Sequence, residues 1–311
     1  MLLNLLKKIL KFGPFITLSN LFLAYGNNLC SKSTLDRINQ IRINKINKHL
    51  KGIIQNINSI PISVPTPANL VKEAIWICWF QGEDKMPPIA RLCYDSIRRY
   101  CNDHPVILLT QENYKDYVVI PNSIENIYKN GKLKQAHFAD ILRINLLAQQ
   151  GGLWLDSTML LTKPVSEEIF KSSFYTIKSK PFGFFVSRCR WSVFMLAAKK
   201  DCVIFKKIAK AFELYLEKTD TFIDYFLFDH FFDLLYQTDP IIKDLIDSVP
   251  FNNLAVHDLN SILCDNYEER RIASIMENTY MFKLSNRSYT VDQLKNNPEN
   301  VFNHFKSILM I

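Results

Sequence analysis

The sequence predicts an α/β protein that carries a helical N-terminal appendage. Three observations lead there. Beyond residue 71, short apolar runs alternate with helix-spaced segments, the pattern of a sheet wrapped by helices. Apolar residues make up 48% of the 311-residue chain, enough to fill a core and too many for a disordered one. Three prolines within the ten residues from Ser59 to Ala68 mark a break, because proline fixes the backbone and removes a donor. The predicted organisation is therefore a helical segment over 1–58, a proline-rich linker over 59–70 and a main domain over 71–311.

Within the first segment, Leu2, Leu3, Leu5, Leu6, Ile9 and Leu10 oppose Lys7, Lys8 and Lys11, which predicts an amphipathic helix to about Phe12. A second helix is predicted from about Thr34 to Ile54, with Leu35, Ile38, Ile41, Leu50 and Ile53 on one side. Phe15 to Tyr25, between them, is apolar but too short to span a bilayer. Residues 1–60 hold nine basic residues against the single acid Asp36, so the whole net charge of +8 sits there and the rest of the chain is neutral. A basic amphipathic helix suits the interface of an anionic membrane. The same faces would equally pack on the main domain or on a partner. Charge alone also admits nucleic acid, but the large apolar faces and the lack of any nucleic-acid module argue against it. Lysines ahead of an apolar run, with Ala24-Tyr25-Gly26 behind it, have the outline of a signal peptide. The seven cysteines have no Cys-x-x-Cys spacing and read as free thiols of a reducing compartment, which argues against both a zinc site and a leader peptide.

In the main domain, Ile75 to Phe80 predicts a strand, Pro88 to Tyr100 a helix, Val106 to Thr110 a strand and Gln135 to Gln150 a helix. Strands follow at Leu153–Asp156, Phe174–Ile177 and Gly183–Ser187, and helices dominate from Asp201 to Leu235. In such a sheet, ligands sit at the carboxyl ends of the strands.

The stretch from Ala136 to Pro164 carries most of the chemistry. Phe138, Ile141, Leu142, Ile144, Leu146 and Leu147 give a broad apolar helix face, which Gly151 and Gly152 end. Leu153-Trp154-Leu155 then leads to Asp156 at a strand end. Asp140 and Arg143 share a helix face, and a surface ion pair is the plain reading of that spacing. In extended chain Asp156 and Thr158 point to one side, a carboxylate and a hydroxyl toward one ligand, although Asp and Ser also favour turns.

These residues carry a resemblance. Phe138-Ala139-Asp140-Ile141-Leu142-Arg143, followed by Gly151-Gly152-Leu153-Trp154-Leu155-Asp156-Ser157-Thr158, resembles the capsular polysaccharide synthesis protein family. That family is related to the family 32 glycosyltransferases and, more distantly, to the clostridial toxin glucosyltransferases. Ala74 to Gly82, Met86-Pro87-Pro88, Phe222 to Asp229 and Val249 to Asn253 extend the likeness over roughly residues 70 to 290. The second Asp of the family's Asp-x-Asp pair is Thr158 here.

The resemblance implies a GT-A-type, Rossmann-like mixed sheet flanked by helices. It implies transfer of a hexose from a nucleotide-diphosphate donor, a UDP-sugar, to a growing capsular or other cell-surface glycan, with retention of anomeric configuration. Mn²⁺ or Mg²⁺ is expected at Asp156, with Thr158 and a late ligand, His257. Asp140 and Arg143 are expected to orient the donor's hydroxyls. Trp79 would stack on its base, and Trp154 would offer its indole N–H to a phosphate or sugar hydroxyl. Lys283 or Arg287 would hold the leaving diphosphate. Asp229, an acid in an aromatic segment taken as helical from Phe222, would face the acceptor. The protein is then expected on the cytoplasmic face of the plasma membrane, held through residues 1–58. For several of these residues a structural role competes: His257 and the Lys283–Arg287 pair as solvated groups, Asp224 and Asp229 as helix caps or ion pairs. Two rival functions remain in view. One is a catalytically degenerate scaffold of a capsule assembly complex, suggested by Thr158. The other is a phosphotransferase, which would release nucleoside monophosphate.

Overall fold

The computed structural model describes residues 2–25, 30–179 and 185–309. Gly26, of the candidate cleavage site, and residues 183–184, of one expected strand, lie outside them. The rest of that expected strand, 185–187, is not extended in a sheet.

Among the described residues, seven short strands form: β1 (Ile75–Cys78), β2 (Val106–Leu109), β3 (Gly152–Leu155), β4 (Met159–Leu161), β5 (Phe174–Thr176), β6 (Met195–Ala198) and β7 (Met281–Lys283). The main sheet has the order β2-β1-β3-β6-β5. The first three strands are parallel, and β6 runs antiparallel to both β3 and β5. This is the expected mixed α/β sheet. Strands β4 and β7 pair separately as a two-stranded ribbon.

Strand alternation divides the core into two layers. Trp76 and Trp154 sit opposite each other in register and face one way. They join Leu196, the helix Gln135–Gln149 and the helices Val203–Lys218 and Leu227–Thr238 in one cluster. Ile75, Ile77, Leu153 and Leu155 face the other way, onto Tyr94 and Ile97 of the helix Pro88–Arg99 and onto Ile169 and Phe170. Trp76 is fully buried and donates its indole N–H to the Gly151 carbonyl at 2.9 Å, so it is a core residue.

Gly151 and Gly152 are required where they are. Both have positive φ, 70° and 88°. A Cβ on Gly151 would lie 2.4 Å from the Lys200 nitrogen, and one on Gly152 would lie 2.4 Å from the Ala74 carbonyl oxygen. The helix end, β1 and the end of β6 meet there too closely for any side chain.

The N-terminal segment forms three helices, α1 (Leu2–Phe12), α2 (Pro14–Tyr25) and α3 (Lys32–Asn58). Of the readings left open for its apolar faces, α3 follows packing on the main domain. Leu50, Ile46, Ile53, Ile54 and Ile57 of α3 are buried in the same cluster as Trp76 and Trp154. The helix packs on Val203–Lys218 and Leu227–Thr238. It is also joined by polar contacts. Arg42 donates to Asp224 and, at 2.6 Å, to Asn20; Asn47 donates to Asp233 at 3.0 Å; Lys207 donates to Asn58 at 2.8 Å. Arg42 and Asp224 are both buried. Arg42 turns inward with the apolar stripe of α3, while Lys32, Arg37, Lys45, Lys48 and Lys51 are exposed.

The segment 219–226 is not helical, contrary to the expected helix from Phe222. Asp224 explains the difference: its carboxylate accepts the Phe226 N–H at 2.8 Å and holds Arg42, which fixes a turn ahead of the helix.

Replacing Arg42 by Ala leaves Asp224 buried without its cation. Urea unfolding should show a loss of about 3–5 kcal/mol, the cost typical of breaking a buried pair from one side. A chain lacking residues 1–60 should aggregate, because it uncovers the helices that α3 seals. A well-folded, monomeric truncation would contradict this packing.

Candidate active site

The site is built on the carboxyl ends of β1 and β3. A cavity of about 560 Å³ opens there, lined by Trp79, Asp140, Arg143, Trp154, Asp156, Thr158, Asp229 and Arg287 together with Tyr225, Phe226 and Phe228. Eight residues predicted from the sequence therefore share one cavity. A cleft of about 780 Å³ elsewhere, between the helices Pro88–Arg99 and Val301–Leu309, is lined by none of them.

Arg143 organises the floor. One of its terminal nitrogens donates to Asp140 Oδ1 at 3.1 Å and lies 3.5 Å from Asp156 Oδ1; the other donates to the Val193 carbonyl. Its guanidinium stands 4.9 Å from the Trp154 ring centroid and 5.8 Å from that of Phe228. Only 7% of the side chain is exposed, against 24% for Asp140 and 28% for Asp156. The plain reading of a surface ion pair is thus overturned. Arg143 positions the acids, and the carboxylates face the cavity.

The three acids differ in charge. Burial works against ionisation of Asp156, but Lys283, Arg143 and hydrogen bonds from Trp154 and Lys283 outweigh it and hold its carboxyl down at about 2. Burial, resisted by Arg143 and reinforced by repulsion from Asp156 and Asp229, lifts Asp140 to about 7. Burial likewise raises Asp229 to about 6, although it accepts the Trp191 N–H at 2.9 Å. Asp156 is thus a permanent anion, whereas Asp140 and Asp229 exchange protons near neutral pH. Asp229 sits in the first turn of the helix Leu227–Thr238.

The aromatic side chains divide by role. Trp79, one residue past β1, is half-buried at the cavity edge and donates to the Lys85 carbonyl at 3.2 Å. Trp154 is buried, and its N–H goes to Asp156 Oδ1 at 3.0 Å. It therefore steadies the acid, which corrects the expected contact with a phosphate or sugar hydroxyl.

Lys283 and His257 enter from the late part of the chain. The register Met159↔Lys283 between β4 and β7 brings the Lys283 ammonium to Asp156 Oδ2 at 3.0 Å and to Thr158 Oγ1 at 2.6 Å. His257 borders a shallower cavity with Thr158, Lys283 and Arg287, its ring edge-on to Phe194 at 5.8 Å. Burial and the Lys283 charge lower its pKa. The set proposed for Mn²⁺ or Mg²⁺, namely Asp156, Thr158 and His257, does not suit a divalent ion, because an ammonium lies between the carboxylate and the hydroxyl. Among the described residues, no three of His, Cys, Asp and Glu come together as metal ligands.

Sequence reasoning missed Trp191 and Val193. Both lie in an irregular stretch ahead of β6, where no periodicity points to them. The aromatic Trp191 between Arg190 and Ser192 was the available signal.

The cavity thus gathers three carboxylates around one arginine at the carboxyl ends of parallel strands. The family model for capsular polysaccharide synthesis proteins matches residues 26–305, and the chain belongs to that family. Over 102 residues it is 28% identical to the O-glycosyltransferase braB of Annulohypoxylon truncatum, a stretch that covers 30% of this chain and 24% of that protein. The chain thus matches about a quarter of that relative's length. A solved structure titled PaToxG Glycosyltransferase aligns over 80% of this chain and 99% of its own, at 14% identity and a TM-score of 0.37, a likeness too slight to bear on mechanism.

The two ends of the Asp140–Arg143 pair should separate experimentally. Arg143→Met should cost about 1–3 kcal/mol in urea unfolding, since it leaves the Val193 carbonyl without its donor and Asp140 without its cation. Asp140→Asn should stay within about 1 kcal/mol of the parent and instead lose donor-dependent turnover. Equal stability losses in the two variants would show that Asp140 is structural as well.

Proposed function

We propose that this protein transfers a hexose from a nucleotide diphosphate, UDP-linked, to a growing capsular or other cell-surface glycan. The observation that supports this most directly is the single cavity shared by Asp140, Arg143, Asp156, Asp229, Trp79 and Arg287 at the strand ends. Trp79 is placed to stack on the nucleotide base at one edge. Asp140 receives the donor's hydroxyls, and Arg143 keeps it oriented. Arg287 and Lys283 meet the diphosphate with cationic donors, which favours departure of the nucleotide as charge develops on it. Asp229, partly protonated near neutral pH, lies where the acceptor hydroxyl approaches. Retention of configuration is what the resemblance to the family 32 and clostridial toxin enzymes implies.

The same proposal places the protein on the cytoplasmic face of a membrane, acting on a lipid-linked acceptor. Among the described residues no helix is long and apolar enough to cross a bilayer. The helices α1 and α2 nevertheless expose Leu6, Leu10, Phe15, Leu18 and Leu21, with Lys7 and Lys11 exposed beside them. Lys45 of α3 lies 5.3 Å from the Phe15 ring. Apolar side chains interleaved with lysines suit an anionic lipid interface. His137 stacks on Phe222 and leans on Tyr225, which lines the cavity.

Two measurements test these readings. In a screen of sugar nucleotides, the full chain should hydrolyse at least one and release nucleoside diphosphate. Asp156→Ala should abolish that turnover, because Lys283 and Arg143 lose their shared anion. No turnover with any donor would favour the scaffold reading that Thr158 suggests, and release of monophosphate would favour a phosphotransferase. In flotation with anionic vesicles, the full chain should bind and should release as salt rises. Leu10→Glu with Leu18→Glu should prevent binding with a stability change within about 0.5 kcal/mol per exposed site. Binding unaffected by both salt and these substitutions would remove the membrane assignment.

A further inference from the structure

We propose that sugar transfer by this protein needs no divalent cation, and that the Lys283 ammonium is its built-in replacement. The inference rests on the transferase reading of the cavity. Its starting point is one juxtaposition. The two positions that would supply carboxylates to a metal are Asp156 and Thr158, and the Lys283 ammonium donates to both, at 3.0 and 2.6 Å.

The placement is built into the fold. Lys283 closes β7, directly across the ribbon from Met159, and the Leu284 N–H donates to the Thr158 carbonyl at 2.9 Å. The backbone on both sides of the lysine is thereby tied to the backbone that carries Thr158. Its stem passes the Phe194 ring, with the ammonium 5.5 Å from the centroid. About a fifth of the side chain, 21%, remains open to solvent. The other oxygen of Asp156 is already taken by the Trp154 N–H at 3.0 Å, with Arg143 3.5 Å away. Asp156 therefore has no oxygen that is not facing a cation or a donor.

The exchange of residue types is consistent in charge. With Thr158 in place of a second carboxylate, the pair carries one negative charge instead of two. A monovalent ammonium balances one charge, as a divalent ion balances two. The hydroxyl of Thr158 can accept from an ammonium without adding charge, and it is too weak a ligand to hold Mg²⁺ or Mn²⁺ against dehydration. A cation bound between these groups would also stand against the Lys283 charge at contact distance.

In the reaction, a bond forms between the acceptor oxygen and the anomeric carbon of the sugar. The bond from that carbon to the terminal phosphate oxygen breaks, and its electron pair stays on the departing nucleoside diphosphate. The acceptor's proton leaves on that same diphosphate. Lys283, oriented by Asp156 and Thr158, donates to the phosphate oxygen on which charge accumulates, and Arg287 serves the outer edge. The chain supplies the neutralisation that other transferases draw from an ion.

The test uses the full-length protein and UDP as the probe, with binding followed by calorimetry after exhaustive EDTA treatment, with and without added Mn²⁺. UDP should bind with the same affinity in both arms, and donor hydrolysis should persist in EDTA. Lys283→Met, which keeps the aliphatic stem, should weaken UDP binding roughly tenfold to a hundredfold, the worth of one charge-assisted hydrogen bond, with no rescue by Mn²⁺. Lys283→Arg should restore most of the affinity. UDP binding or hydrolysis that appears only with Mn²⁺ would overturn the proposal and leave the transferase reading standing. Failure of UDP and every other nucleoside diphosphate to bind in either arm would remove both. The wild-type comparison in EDTA decides the matter even if the lysine variants do not fold.

Discussion

One buried guanidinium sets the geometry of the candidate site. Arg143 comes from the middle of a helix, yet it binds Asp140 on its own helix, Asp156 at the end of β3 and the Val193 carbonyl ahead of β6. Three separate segments thus converge on one side chain. A charge taken so far out of water is stable only if it is surrounded by acceptors and by the electron-rich faces of rings, and Trp154 and Phe228 provide the latter. The arrangement holds one carboxylate ionised and leaves two others near their titration point, so a set of like side chains acquires unlike chemistry.

The glycine pair makes this convergence possible. The helix that carries Arg143 must turn back into β3 within two residues, while β1 and the end of β6 press against the turn. Only residues without a side chain fit there. The separation between Asp140-x-x-Arg143 and Trp154-x-Asp156 is therefore fixed by backbone packing, and it governs how far apart the acids stand.

This is also why part of the site was legible from sequence. Helix periodicity, a glycine stop and a short apolar run are local signals, and they put Asp140 and Arg143 on one helix and Trp154 and Asp156 on the strand that follows it; that these side chains meet was an implication of the family resemblance alone. The strands β4, β6 and β7 were not legible. Met159-Leu-Leu161 and Met195-Leu-Ala-Ala198 are made of good helix formers, and only burial between neighbouring segments turns them into strands. Lys283 was recognised as a basic group near the end of the chain, but its contact with Asp156 spans 127 residues and has no local signature. The bond from Trp191 to Asp229, across 38 residues, likewise has no local signature. The N-terminal helices were readable as helices with a charged and an apolar face; what the apolar face of α3 covers depended on helices nearly two hundred residues away.

That distance has a consequence for how the chain is made. The stripe of isoleucines and leucines on α3 is synthesised long before the helices Val203–Lys218 and Leu227–Thr238 that bury it, and Arg42 precedes its partner Asp224 by 182 residues. Until those helices are made, the apolar stripe of α3 has none of the partners that bury it in the folded chain. Docking of α3 is a late, long-range step, and late closure of distant contacts is slow.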